Sequence, residues 1–481
     1  MKKDFTSEEL AKACLNRINK TQKQINAFIT ITEKEALKSA KEVDQKIKKG
    51  GTIDLLAGIP CSIKDIIVTE GIESTGAANL LKGYIPPYDA TVIKKLKEKG
   101  FVILGKANCD MFGHGGSNEN SFFGPVHNPW DLDRIPGGSS GGSAASVVSD
   151  QAIYSLGSDT GGSLRHPAMF CSCVGLKPTY GRVSRYGLMS FASSTDVIGP
   201  IAKCVEDAAI LLENIAGKDE SDSTAVPVPV DNYSELIKKD IKGLKIGVPK
   251  EYFVKGMQKE VEQAVRSAIK KLEELGAKII EISLPHTEYA VAVYYIIAPC
   301  ETSSNLARLD GIRYGNSIIK NKKAQVKDLY EVYSKTRGQG FGSETKRRIM
   351  VGTYALSAGY YDAYYKKAQK VRTLLKQDFD KAFKKVDVIA APTSPTVAYK
   401  IGAKTSDPLQ MYLEDIFLSA VSLAGQPALV LPCGFAKPVD GENELGIGLQ
   451  LIGKHFDEKT ILQVGYQYEQ ATEWHLRKPV L

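Results

Sequence analysis

Two glycine- and serine-dense loops, joined by one short apolar segment, constrain this chain more than any other feature. The first runs Gly137-Gly138-Ser139-Ser140-Gly141-Gly142-Ser143. The second runs Gly157-Ser158-Asp159-Thr160-Gly161-Gly162-Ser163-Leu164-Arg165-His166-Pro167, and Ala144 to Leu156 lies between them. Glycine lets backbone N–H groups approach a bound atom closely and form turns that other residues resist. Serine hydroxyls in such loops are candidate nucleophiles or proton carriers. One loop of this kind is a common accident. Two of them flanking a segment that reads as buried point to a built site.

The surrounding chain alternates helix and strand patterns, which predicts an α/β fold. Thr6-Ser7-Glu8-Glu9 reads as a capping box, and Leu10, Cys14 and Ile18 then recur on one helical face. Thr91 to Lys99 reads as a helix stopped by Gly100, with a short strand from Phe101 to Leu104. The unit recurs: Val261, Val265, Ile269 and Leu272 form a stripe, Gly276 follows as a C-terminal stop, and Ile279 to Leu284 reads as a strand. Further strands are expected at Leu244–Val248, Val430–Cys433 and Leu445–Ile452. Gly217 to Asn232, rich in Asp, Ser, Pro and Val, reads as a surface excursion rather than a domain linker, since the patterns on its two sides are alike. Lys320 to Lys327 reads as a solvated basic loop.

Composition excludes several classes. With 481 residues, 43% hydrophobic and 25% charged, the chain can bury a large core. None of the 8 cysteines falls in C-x-x-C spacing, which argues against a disulfide framework or a zinc site, and no metal ligand set is expected. The N-terminus lacks the apolar run of a signal peptide, and the longest apolar run, Tyr289 to Pro299, is far shorter than a bilayer span. The expected setting is the reducing cytoplasm or an organellar matrix, away from membranes. The formal net charge of +8 suits an acidic partner such as RNA but does not demand one.

The loops admit several chemistries. A phosphate-binding P-loop needs a lysine after its glycines, and none follows here. Gly138-Ser139-Ser140-Gly141-Gly142 matches G-x-S-x-G, the nucleophile elbow of α/β-hydrolases, with His114-Gly115-Gly116-Ser117 as an oxyanion loop and Asp387, His455 or His475 as partners. That reading leaves Asp159 to Arg165 unexplained. In the second loop, Thr160, Gly161 and Gly162 offer successive N–H groups directly before Ser163, as oxyanion stabilisation requires. The same residues also suit a glycine turn with Ser163 as a helix cap. A serine nucleophile needs a base. Lys64, set among apolar residues in Gly58-Ile59-Pro60-Cys61-Ser62-Ile63-Lys64-Asp65-Ile66-Ile67, is the candidate, because burial favours neutral lysine. A plain Lys64–Asp65 pair at a strand end is the alternative.

Together these segments resemble the amidase signature family. Its glycine–serine loop, its Asp-x-Gly-x-Ser-aliphatic-Arg-x-Pro run and its upstream Gly-aliphatic-Pro-x-x-x-Lys-Asp are all present, in order. The resemblance implies a large mixed sheet enclosed by helices, one amidase domain over 1–481 with the signature core at about 50–215, and a remainder, about 233–481, completing it. It also implies a Ser–Ser–Lys triad: Ser163 as acyl nucleophile, Ser139 on a cis peptide bond as relay, Lys64 as base, and Thr160, Gly161 and Gly162 as the oxyanion hole.

Within the family the likeness is greatest to the amidase subunits of tRNA-dependent amidotransferases. It rests on Val174–Gly187, Ser303–Arg308, Lys346–Met350, Ser357–Tyr364 and Gly448–Gly453. Such subunits release ammonia from glutamine, so Arg348 and Asp415 are the expected ligands of its α-carboxylate and α-ammonium. The resemblance implies a heterotrimer in which a tRNA-binding partner subunit joins this chain and a small third subunit braces the pair. That partner holds ATP and Mg²⁺, contacts the tRNA, and converts Glu-tRNA(Gln) to Gln-tRNA(Gln), or Asp-tRNA(Asn) to Asn-tRNA(Asn); no cofactor is expected in this chain. A stand-alone amidase acting on simple amides is the alternative. The sequence departs from such subunits at Asn108–Gly115, at His166 (commonly Gln) and at Val148, and by the same resemblance a typical N-terminal helix is expected to be missing before Lys2.

Overall fold

The computed structural model describes residues 4–320, 325–405 and 407–481. Its centre is one 11-stranded mixed sheet. The strands are β1 (Phe28–Ile31), β2 (Pro60–Lys64), β3 (Val102–Ala107), β4 (Tyr154–Asp159), β5 (Val174–Lys177), β6 (Val197–Ala202), β7 (Lys245–Pro249), β8 (Lys278–Ile282), β9 (Val388–Pro392), β10 (Ala428–Ala436) and β11 (Leu445–Gly453). Their spatial order is β1-β3-β2-β4-β6-β5-β10-β11-β9-β7-β8. The β3/β2/β4 and β9/β7/β8 groups are parallel, and antiparallel pairs join and flank them. This is the mixed α/β architecture expected.

The repeating helix–stop–strand unit takes the same form at both ends of the sheet. Helix Thr91–Glu98 ends before Gly100 (φ +77°) and leads into β3, and helix Lys259–Glu274 ends before Gly276 (φ +97°) and leads into β8. Glycine is required at these left-handed positions. The strand at Ile279–Leu284 is displaced: it spans Lys278–Ile282, because Glu251 takes the Leu284 N–H out of the ladder and Pro285 follows. The capping box forms at Thr6, with Glu9 bonded back to the Thr6 N–H. Gly217–Asn232 is tied down rather than free. Asp219 accepts from the Thr91 and Ser184 hydroxyls, and Asp222 from the Arg185 N–H. Of the basic run Lys320–Lys327, residues 321–324 lie outside the described residues. Among the described residues no helix is long and apolar enough to cross a membrane.

Strands β2, β3, β4, β5, β6 and β9 are buried along their whole length. A polar side chain on such a strand must find partners inside the protein. Lys64 ends β2 and Asp159 ends the neighbouring parallel strand β4, so both glycine–serine loops meet at the carboxyl edge of that pair. Carboxyl edges of parallel strands are where α/β folds bind ligands. A second wall comes from two crossing helices, Ala290–Asn305 and Ser343–Leu356. They approach closely at Gly352, where a β-carbon would stand 1.9 Å from the Pro299 carbonyl oxygen. The apolar run Tyr289–Pro299 thus builds a helix that presents Tyr294 and Tyr295 to the site.

Candidate active site

Lys64 is fully buried, and its three ammonium donor positions are filled by three hydroxyls. Nζ lies 2.7 Å from Ser139 Oγ, 2.9 Å from Ser140 Oγ and 2.8 Å from Ser158 Oγ. Burial pushes its pKa from 10.5 to about 8, against the opposing pull of Cys109, Asp110, Asp159 and Asp196. Lys64 makes no pair with Asp65. That carboxylate turns away to the Thr75 hydroxyl and the Thr75 and Ala77 N–H groups. The simple strand-end pair is therefore not what holds the lysine.

The Gly138–Ser139 peptide is cis. Ser140 donates to the Ser158 carbonyl (3.0 Å) and accepts from the Ser158 N–H (3.2 Å), which stitches the first loop to the edge of β4. Ser140 is the serine of the G-x-S-x-G string. Its hydroxyl faces a lysine and a serine, not a histidine. His455 bonds the Ala424 carbonyl, and Asp387 bonds Lys245 and Lys454. His114 is buried against Phe191 and bonded to Met111 and Thr302, and burial lowers its pKa to about 3. His166 is buried against Phe170. The nucleophile-elbow reading is thereby corrected: the string forms part of a lysine cage.

Ser163 is the candidate triad member with most exposure, 6% against 0% for Lys64 and 1% for Ser139. Its hydroxyl stands outside the lysine's hydrogen-bond set, while its carbonyl accepts from the Ser140 N–H at 3.3 Å. Among the described residues, the backbone N–H groups of Thr160, Gly161, Gly162 and Ser163 donate to no protein acceptor. Buried amides are almost always paired, so four free donors in succession form a place for an anion. Gly161 is needed there because a β-carbon would stand 2.5 Å from the Tyr294 ring.

Asp159 and Arg165 explain the rest of the motif. Both are fully buried and form a two-pronged pair, Nε to Oδ2 at 3.0 Å and an Nη to Oδ1 at 3.1 Å. Arg165 also reaches the Leu418 carbonyl, Gln450 and the Ser422 hydroxyl, and Asp159 also accepts from the Leu164 N–H. Burial would raise the Asp159 carboxyl, but Arg165 holds it below the ordinary carboxylate range. The loop from 160 to 164 is thus clamped at both ends.

Arg348 and Asp415 come together on Tyr295. The Arg348 guanidinium lies over the rings of Phe191, Tyr295 and Tyr412 at 5.1–5.5 Å, and its Nε donates to Glu344 at 2.8 Å. The Tyr295 hydroxyl donates to Asp415 at 2.8 Å, and its ring stacks on Tyr412 at 3.8 Å. Burial raises Asp415 to about 7, with Tyr295 and Arg348 pulling the other way. A cation and an anion thus sit on one aromatic wall, and Tyr294, beside them, touches Gly161. Ser140, legible in the sequence only as an elbow serine, holds the lysine instead, and Ser158, Tyr294, Tyr295, Phe191 and Asp196 join the site with no motif to mark them. The one available signal was alternation along β4, which sends Ser158 to the lysine and Asp159 to the opposite face.

This fold and geometry define a class. The chain belongs to the amidase family, whose model, described as Amidase, matches residues 9–462. A relative from Carboxydothermus hydrogenoformans that bears the name of a glutamyl-tRNA(Gln) amidotransferase subunit is 56% identical over 479 residues, covering 100% of this chain and 96% of its own. The crystal structure of the Thermotoga maritima protein of the same name is 41% identical, with a TM-score of 0.79 over 97% of this chain and 92% of that one. A peptide amidase solved with the competitive inhibitor chymostatin is 28% identical, with a TM-score of 0.82 over 99% and 96%.

Proposed function

We propose that this chain is the glutamine-hydrolysing subunit of a tRNA-dependent amidotransferase. The observation that carries the reading is the pairing of a caged, pKa-lowered lysine with an Arg348–Asp415 pair on one wall. The first suits amide cleavage. The second suits the two charges of an amino acid's α-carbon: Arg348 takes the carboxylate and Asp415 the ammonium.

The steps follow from the donors and acceptors present. Neutral Lys64 keeps two N–H bonds, to Ser140 and Ser158, and its lone pair accepts the Ser139 proton. Ser139 in turn takes the proton of Ser163 as Ser163 Oγ attacks the side-chain amide carbon. The C–O bond forms, and the carbonyl becomes an oxyanion against the free N–H groups of Thr160, Gly161 and Gly162. Collapse breaks the C–N bond, and the relay returns the proton to the departing ammonia. Water then attacks the acyl ester by the same relay, releasing glutamate.

The ammonia serves a partner subunit that binds tRNA, ATP and Mg²⁺ and amidates Glu-tRNA(Gln) or Asp-tRNA(Asn), with a small third subunit bracing the pair. The relatives' name and the charged wall both weigh against a stand-alone amidase of simple amides. The test is ammonia release by the purified chain from glutamine, alone and with the candidate partner subunits, tRNA and ATP. Turnover of acetamide that exceeds turnover of glutamine and ignores the partners refutes the reading.

A further inference from the structure

The β4/β6 ladder ends at the pair Asp159–Val197. The next residues across from one another are Thr160 and Asp196, and here side chains replace the ladder. The Thr160 hydroxyl donates to Asp196 Oδ1 at 2.7 Å. Asp196 is buried, at 3% exposure, and also gathers two backbone donors: the Phe191 N–H at 2.9 Å and the Ala192 N–H at 3.1 Å. One carboxylate therefore ties two segments that face the site from different sides.

The first segment is the loop of free amides. Its carboxyl end is held by the bonds of His166 N–H to the Gly162 carbonyl and of Leu164 N–H to Asp159. At its amino end, Thr160 has the bond to Asp196. The second segment turns at Phe191, whose ring lies 4.2 Å from His114 and 5.3 Å from the Arg348 guanidinium. The Phe191 carbonyl accepts from Thr302 and Asn305, so the ring is braced from the helix Ala290–Asn305 as well. Away from the site, Asp196 lines a cavity of about 580 Å³ together with Arg185, Ser193 and Asn305. It is thus the partition between that cavity and the amide loop, not part of an apolar core.

We propose that Asp196 is a positioning residue that sets the oxyanion donors through Thr160 and the arginine end of the substrate site through Phe191. It touches no reacting atom. The inference rests on the assignment of Ser163 and Lys64 made above. It separates the two arms: loss of the Thr160 hydroxyl frees only the amide loop, whereas loss of the carboxylate frees both segments.

The test is steady-state glutamine hydrolysis by Thr160→Val, Thr160→Ser, Asp196→Ala and the Asp196→Ala/Thr160→Val pair, in the full chain with whatever subunits co-purify. Removing one oxyanion donor costs about 100- to 1,000-fold in kcat; misorienting one costs less. Thr160→Val is expected to lower kcat about 10- to 100-fold with KM within twofold, and Thr160→Ser to restore it. Asp196→Ala is expected to lower kcat similarly and to raise KM as well. The double variant is expected to be no worse in kcat than Asp196→Ala, since both remove one bond. Wild-type kcat in Thr160→Val, no recovery in Thr160→Ser, or additive losses in the double variant overturn the proposal. If Asp196→Ala does not fold, the Thr160 pair decides alone. If the wild-type chain turns over another amide but not glutamine, the proposed function fails, and the same variants assayed on that amide still decide the role of Asp196.

Discussion

Replacing Lys64 with methionine and following kcat against pH tests the chemistry at its root. An ordinary lysine with a pKa of 10.5 is neutral in about one molecule in three thousand at pH 7. With its pKa at about 8, Lys64 is neutral in about one in eleven, so burial enriches the base form about 300-fold. In the wild type, kcat at saturating glutamine should rise about 25-fold from pH 6.5 to 8.5 and then level. Saturation matters because Asp415 also titrates, at about 7, and once paired with bound substrate it stays ionised. The same shift makes a stability claim. Folded Lys64 titrates below its unfolded value, so between about 8 and 10.5 the unfolded chain holds more protons and stability rises with pH. Below about 8 the folded state carries the full cost of the buried charge, about 3 kcal/mol. Methionine removes that cost but leaves three hydroxyls short of a partner, at about 1 kcal/mol each. The two nearly cancel. Lys64→Met should therefore lose turnover while melting within a few degrees of wild type in calorimetry at pH 7. A kcat that is flat from pH 6.5 to 8.5, or a methionine variant that still turns over, refutes the reasoning.

Ser163→Ala should abolish ammonia release without moving the melting temperature, since the hydroxyl stands outside the Lys64 hydrogen-bond set; retained turnover removes Ser163 as nucleophile. Asp415→Asn should raise KM for glutamine about 10-fold or more while leaving hydrolysis of a neutral amide such as acetamide unchanged, and equal effects on both substrates would detach Asp415 from the α-ammonium. The double variant His455→Ala/His475→Ala should keep kcat within twofold, as neither ring reaches the lysine cage, and a kcat collapse would restore the histidine-dependent mechanism. Arg165→Met leaves Asp159 buried without its cation and should destabilise the chain by about 3–5 kcal/mol in denaturant titration; an unchanged midpoint would show that the clamp contributes little.

The parts legible in the sequence are those written locally. The capping box at Thr6 and the glycine stops at Gly100 and Gly276 each need only a few neighbouring residues. The order of the sheet was not legible, because nothing local says that β10 inserts beside β5 or that β1 reaches the edge by pairing with β3. The site divides in the same way. Lys64, Ser139 and Ser163 stand out through a spaced signature. Ser140 read as the serine of a nucleophile elbow and Ser158 as an ordinary loop residue, and their shared role appears only when a lysine 76 and 94 residues upstream arrives with three donors to fill. The aromatic wall was hidden more deeply. Tyr295 and Asp415 are 120 residues apart, and a Tyr–Tyr pair inside an apolar run reads as core until the helix crossing at Gly352 turns it to the site.

On the proposed mechanism, the distribution of charge around Lys64 follows from the use of a lysine as base. Histidine is neutral at physiological pH without help, whereas lysine must be buried to become so, and any free carboxylate nearby would reverse the effect of burial. Three carboxylates surround it: Asp110, Asp159 and Asp196. Each is occupied elsewhere. Asp159 is spent on Arg165, Asp110 on the Asn118 and Asn120 N–H groups, and Asp196 on Thr160 and two backbone donors. Burial raises Asp110 to about 7 and Asp196 to about 6, which weakens their pull on the lysine further. Serine hydroxyls, polar but uncharged, are then the partners that hold an amine without fixing a proton on it. That is why serine and glycine crowd both loops while the acids stand one position back, each holding a loop in place rather than the base.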